Sequence, residues 1–166
     1  MFTQDGIVTK EMFESSLPSP QRRRKGPYAV MECYQKIPCN PCRTSCKFGA
    51  LQATDDLNAL PVRDAEKCTG CGACVSACPG LACFIIDETY SEWEAAIRIP
   101  YEMLPLPKEG EKVDGLNRAG VPVAEVRVLK VQAGKILDKT NVVTIAVPKK
   151  YLYDIRNIAV RRKEHG

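Results

Sequence analysis

Nine cysteines and one histidine are the residues of this chain whose types could do the most distinctive chemistry. Eight of the cysteines fall in two runs. ECYQKIPCNPCRTSCKFGA, residues 32–50, carries Cys33, Cys39, Cys42 and Cys46. CTGCGACVSACPG, residues 68–80, carries Cys68, Cys71, Cys74 and Cys78. Cys83 stands apart. Clustered thiols pair as disulfides, hold zinc, or hold iron–sulfur clusters. The odd count argues against a fully paired disulfide framework. The N-terminal MFTQDGIVTKEMFESS has no apolar stretch and carries Asp5, Glu11 and Glu14, so it does not read as a secretory signal. The expected setting is therefore a reducing cytosol and the expected use is metal ligation. His165 alone cannot supply the two imidazoles of a Rieske centre, and at the C-terminus it reads as inert.

The second run reads C-x2-C-x2-C-x3-C-P through Cys68, Cys71, Cys74, Cys78 and Pro79. Zinc sites use pairs of C-x2-C, whereas three cysteines at this spacing wrap three corners of a cubane, and the fourth reaches a second cluster. Gly70 and Gly72 would let the backbone approach and aim N–H groups at sulfur. Pro79 turns the chain away. Such a run needs a partner. CRTSCKFGAL (42–51) aligns with CVSACPGLAC (74–83) as C-x3-C-x3-A, which extends backward to pair Cys39 with Cys71 and Lys36 with Cys68. Cys33 is the nearby thiol that can replace the one missing at 36, through a bulge at 35–38. The resulting expectation is two [4Fe-4S] clusters, the first on Cys33, Cys39, Cys42 and Cys78, the second on Cys68, Cys71, Cys74 and Cys46. For Cys33 the other reading is a structural thiol. Cys83, opposite Leu51, reads as apolar wall. Lys47 stands where the second run has Pro79; it is either a solvated lysine or a positive charge that raises the second cluster's potential.

The elements that must position these thiols are legible in part. PYAVMEC (27–33) reads as a strand into the first cysteine, 51–63 as a hairpin, and LACFIID (81–87) as a second strand. YSEWEAAI (90–97) reads as a helical turn or a linker. VAEVRVLKV (123–131) and NVVTIAVP (141–148) read as strands. YLYDIRNIAV (151–160) fits a closing helix or an irregular tail. The expected fold class is α+β. A basic N-terminal extension (1–26) precedes a ferredoxin-like domain binding two clusters (27–90), and a small β-rich C-terminal domain with a basic tail (91–166) follows.

Charge and motifs exclude other classes. The formal net charge of +4 is offset by roughly −2 from each oxidised cluster, so the basic excess does not imply nucleic acid. The RRRK run at 22–25 reads as a solvated or docking segment. No stretch reaches the ~18 apolar residues of a membrane span. Phosphate-binding and nucleophile-elbow motifs are absent, and Gly70-Cys-Gly72 lacks the third glycine of a dinucleotide site.

The run at 33–83 resembles the bacterial-type ferredoxin fold with two four-iron clusters. The longer pattern PYAVMECYQKIPCNPCRTSCKFGAL, then CTGCGACVSACPGLA, then a β segment, is similar to the ferredoxin-like small subunit of multi-subunit FAD-dependent amine or amino-acid dehydrogenases of the proline, hydroxyproline or sarcosine type. That resemblance implies a non-catalytic electron-transfer subunit in a hetero-oligomer with an FAD-containing dehydrogenase, relaying electrons to an acceptor. A freely diffusing ferredoxin and a metal-stabilised interaction module are the other readings.

Overall fold

Apolar residues that alternate with polar or small ones dictate most of the strands in the computed structural model, which describes residues 2–137 and 139–161. Short helices come first: α1 (Phe2–Asp5), α2 (Lys10–Ser16) and α3 (Pro20–Arg23). They are followed by strand β1 (Tyr28–Met31), helices α4 (Pro41–Thr44) and α5 (Ala73–Ala77), and then β2 (Cys83–Asp87), β3 (Glu94–Tyr101), β4 (Lys112–Leu116), β5 (Pro122–Gln132), β6 (Asn141–Pro148) and β7 (Asn157–Ala159). The seven strands form one antiparallel sheet in the order β1-β2-β3-β6-β5-β4-β7. Among the described residues no helix is long and apolar enough to cross a membrane.

The two faces of β1 and β2 serve different cores. Tyr28 and Val30 of β1, with Phe84 and Ile86 of β2, join a cluster that draws on all seven strands, including Ile97, Val113, Val128, Ile145 and Ile158. The alternate residues Ala29, Met31, Cys83 and Ile85 face the other way, onto Ala50, Leu51, Cys68, Cys74 and Val75. The period of two in the strand sequence thus places both cysteine runs on one side of the sheet.

Several expectations are corrected. Residues 90–97 contribute to β3 rather than to a helical turn. Ala95, Ile97 and Ile99 alternate into the core, and pairing with β2 on one side and β6 on the other outweighs the helix preference of Glu and Ala. The 51–63 hairpin is reduced to a single bridge between Leu51 and Arg63. Residues 151–160 are neither closing helix nor irregular tail throughout, since β7 forms there against β4. The N-terminal extension is in part packed onto the fold. Val8 and Phe13 are buried in the main core and the Phe13 ring lies 5.8 Å from that of Tyr153. Thr9 caps α2 by accepting from Met12 N–H, and Ser19 caps α3 from Arg22 N–H. His165 lies outside the described residues.

Candidate metal centre

The internal repeat read from the cysteines recurs in the backbone. α4 and α5 begin at corresponding positions, 41 and 73, and pack against each other. Each carries a cysteine at its second residue, Cys42 and Cys74, with the next cysteine, Cys46 or Cys78, just beyond its end. Gly49 and Leu81, also equivalent, both take positive φ, 64° and 52°. A left-handed residue after each helix turns the chain back toward the sheet, and Leu81 does so against its steric preference.

Two cavities lie beside these helices. The first, of about 240 Å³, is lined by Cys33, Cys39, Cys42 and Cys78, with Glu32, Arg43 and Cys83 also in its wall. The second is tighter, about 20 Å³, and is lined by Cys46, Cys68, Cys71 and Cys74, with Phe48 and Arg63. Cys46 leaves its own run to line the second cavity, and Cys78 leaves its run to line the first. Among the described residues no three His, Cys, Asp or Glu side chains converge tightly enough to hold one ion. The thiols line two spaces instead.

Backbone and side chains fix the loop 68–72 from three directions. Arg22, buried, donates to the carbonyls of Ala65, Gly26, Pro27 and Cys68 at 2.8, 3.1, 2.8 and 2.5 Å. Arg98 of β3 donates to Gly70 and Cys71 carbonyls at 2.9 and 3.2 Å. Gly70 has φ +67°, and a Cβ there would stand 2.6 Å from Pro27. Backbone N–H groups reach sulfur: Ala29 N–H donates to Cys68 Sγ at 3.3 Å and Ala82 N–H to Cys78 Sγ at 3.4 Å.

Cys83 is buried at the junction of the two sets. Its single S–H has Cys42, Cys74 and Cys78 as alternative acceptors, and this bonding with burial pushes its own pKa well up. The same donation, opposed by burial and aided by the Ala82, Gly80 and Cys83 N–H groups, lowers the Cys78 thiol to about 6. Cys42 is lowered to about 7, again chiefly by Cys83. Cys33 and Cys39, in the same cavity wall, are raised instead by burial and by the neighbouring thiols. Lys47 is exposed on the turn after α4 and is not in the wall of the second cavity. The cations in the cavity walls are Arg43 and Arg63. Arg43 sits inside the first cysteine run, directly after Cys42, whereas Arg63 follows Ala-Leu-Pro-Val and carries no motif.

The first ligand candidate is held by a buried ion network. Glu32, next to Cys33, accepts from Arg118 at 2.6 and 2.8 Å and from Arg156 at 2.6 Å. Burial would raise this carboxyl, but the two guanidinium groups hold it below the usual range.

Residues 59–80, which contain Cys68, Cys71, Cys74 and Cys78, match the family described as a 4Fe-4S binding domain. The chain carries a 4Fe-4S ferredoxin-type domain. This domain is 46% identical over 43 residues to a subunit of the ion-translocating oxidoreductase complex of Methanosarcina acetivorans, covering 26% of the chain and 15% of that protein. It is 41% identical over 54 residues to the polyferredoxin-like subunit of an aliphatic sulfonate oxidoreductase of Pyrococcus furiosus, covering 32% and 28%. A subunit of the Na(+)-translocating ferredoxin:NAD(+) oxidoreductase complex of Acetobacterium woodii is 43% identical over 47 residues, covering 28% and 14%. The match therefore spans less than a third of each of these curated relatives. No solved structure matches.

The donor chemistry of the cavity walls is that of a four-iron cluster. Each cavity has four thiols. Buried guanidinium N–H groups of Arg43 and Arg63, with no partner within the protein, sit in the cavity walls and call for an acceptor.

Proposed function

We propose that this chain is an iron–sulfur electron-transfer subunit, with two [4Fe-4S] clusters held by Cys33, Cys39, Cys42 and Cys78 and by Cys68, Cys71, Cys74 and Cys46. The observation that carries the reading is the crossed arrangement of thiols, in which each run gives its last cysteine to the other cavity. A cluster bound in each cavity supplies a one-electron couple, and that chemistry belongs to the cofactor. The chain's own residues hold the thiolates in place, direct the Ala29 and Ala82 N–H groups at sulfur, and exclude water with Leu51, Val75 and Ile85.

The partner in this reading is an FAD-containing dehydrogenase, to or from which the clusters pass electrons on the way to a second acceptor. The resemblance at ECYQKIPCNPC supports that partner, and the relatives' names as subunits of oxidoreductases support membership of a hetero-oligomer. The division of labour then falls near residue 90: residues 27–90 hold the clusters, while 1–26 and 91–166 build the surface of a fixed subunit.

Anaerobic purification of the chain with its native neighbours tests this. Absorption near 400 nm, about eight irons per chain and a copurifying flavin are expected. Cys78→Ala loses iron while Cys83→Ala keeps it all. Zinc in place of iron, about four irons per chain, or iron lost equally from both variants would sink the assignment. A chain that purifies alone and exchanges electrons freely would sink the partner.

A further inference from the structure

Among the described residues, four buried side-chain nitrogens find no hydrogen-bond partner: Arg43 Nε and Nη1, Arg63 Nε and Arg156 Nη2. A buried guanidinium N–H left unpaired costs about 1–3 kcal/mol, so each needs an explanation. Arg156 has one, because its guanidinium lies over the Phe13 and Phe84 rings, 4.8 and 5.4 Å from their centroids. The other three sit on Arg43 and Arg63, which line the two cysteine cavities; the Arg63 guanidinium has a longer ring contact, 6.0 Å from the Tyr28 centroid, and Arg43 has none among the described residues.

The two arginines share a design. Arg43 Nη2 is anchored on the carbonyls of Ala59 and Leu60 at 2.5 and 2.9 Å, which leaves its other two nitrogens unpaired in the wall that holds Cys33, Cys39 and Cys42. Arg63 is anchored through Nη1 on the Ala29 carbonyl and through Nη2 on the Ser16 carbonyl at 2.9 Å, which leaves Nε unpaired in the wall that holds Cys68 and Cys74. Each cation therefore bears on one set of thiols. Arg43 acts electrostatically on Cys33, Cys39 and Cys42, and Arg63 interacts with Cys68 and Cys74. The anchoring carbonyls come from Ser16, Ala29 and the 59–60 loop, so the protein itself fixes the guanidinium planes.

We propose that Arg43 and Arg63 are positioning residues, one per cluster, that donate guanidinium N–H bonds to cluster or thiolate sulfur and hold each cluster's reduction potential up. This rests on the two-cluster reading above. One electron added to a cluster makes its site more negative by one charge. A fixed cation and its N–H donors stabilise that state over the oxidised one. The effect needs burial, because an exposed charge such as Lys47 is screened by water.

The test uses the full chain. Iron and sulfide are counted first; fewer than about eight irons would overturn the two-cluster reading itself rather than the roles of the arginines. Potentials are then measured by EPR-monitored titration for wild type, Arg43→Gln, Arg63→Gln and the two Lys variants. Arg43→Gln is expected to lower one midpoint and Arg63→Gln the other. Each changes the reduced-to-oxidised ratio at a fixed potential by about tenfold, or about 59 mV for a one-electron couple, and Lys restores part of it. Wild type grown with 15N-arginine gives a second readout that no folding defect can confuse: pulsed EPR of the reduced clusters is expected to show arginine-nitrogen coupling. Unchanged midpoints in fully loaded Gln variants, or no arginine-nitrogen coupling in the wild type, would overturn the proposal.

Discussion

Gly70 shows how a single residue decides whether the second run can form its loop. Its φ of +67° disfavours any L side chain, and a Cβ would meet Pro27 backbone atoms at 2.8 Å. Gly70→Ala therefore carries about 1–2 kcal/mol for the left-handed conformation alone. The contact adds to this, since a backbone carbonyl cannot rotate out of the way. We expect a lower melting temperature and iron lost from the Cys68, Cys71, Cys74 and Cys46 set before the other, read by metal analysis after gentle heating. By contrast Gly49, also at positive φ, has open space around its missing Cβ, so Gly49→Ala should show only the conformational part. The functional glycine was legible in the sequence because it sits inside the cysteine spacing. Its contact with Pro27, forty-three positions earlier, was not.

At the scale of elements, two ion networks staple the strands that carry the cysteines. Glu32, at the exit of β1, binds Arg118 beyond β4 and Arg156 before β7, and Arg118 also lies 4.4 Å from the Tyr153 ring centroid. Glu32→Gln leaves two buried guanidinium groups without their counter-charge, which is expected to cost about 3–5 kcal/mol in chemical denaturation. At the other end of the same pair of strands, Glu88 binds Arg23 at 2.6 and 2.7 Å and accepts from Tyr28 Oη–H at 2.5 Å. Burial opposes the effect, but Arg23 and Tyr28 hold the Glu88 carboxyl below its ordinary 4.5. A depressed carboxylate stabilises the fold fully above its unfolded pKa, and that stability is lost as pH falls through the folded value. The melting-temperature gap between wild type and Glu88→Gln should therefore be constant from pH 7 to about 5 and close below about 4.5. A gap unchanged at pH 3.5 would show that the carboxylate charge is not what matters there. None of these partners could be read from the chain. Period two finds a strand and spacing finds a thiol set, but an arginine at 118 or 156 announces nothing until the sheet brings it to residue 32. β3 was missed for a related reason, since its stability comes from two neighbouring strands rather than from its own residues.

Across the described residues one continuous sheet has the cysteine loops on one face, while α2 packs Phe13 into the core on the other and α3 sets Arg22 on the Cys68 loop, so the N-terminal segment is tied to both sides. β2 carries Cys83 and Ile85 toward the metal side and Phe84 and Ile86 toward the core that Phe13 completes. The basic run at 22–25 reads as a solvated or docking segment because four charges in a row usually are. Burial of Arg22 among four carbonyls is the exception, and it ties the extension to Cys68 itself. Two variants separate these contributions. Removing residues 1–15 strips Val8 and Phe13 from the core but leaves Arg22 and the Ser16 carbonyl that anchors Arg63, and loss of a buried Phe alone is worth about 3–5 kcal/mol. It should lower the melting temperature while a folded remainder keeps iron in both sets. Arg22→Gln leaves the core intact but frees the carbonyls of Ala65 and Cys68, with loss of charge-assisted bonds worth about 1.5–3 kcal/mol each. Its iron loss should be selective for the second set, seen as one EPR signal fading while the other persists. If both variants lost iron from the two sets in equal proportion, the extension would be acting through overall stability alone, and the link from Arg22 to the Cys68 loop would fall.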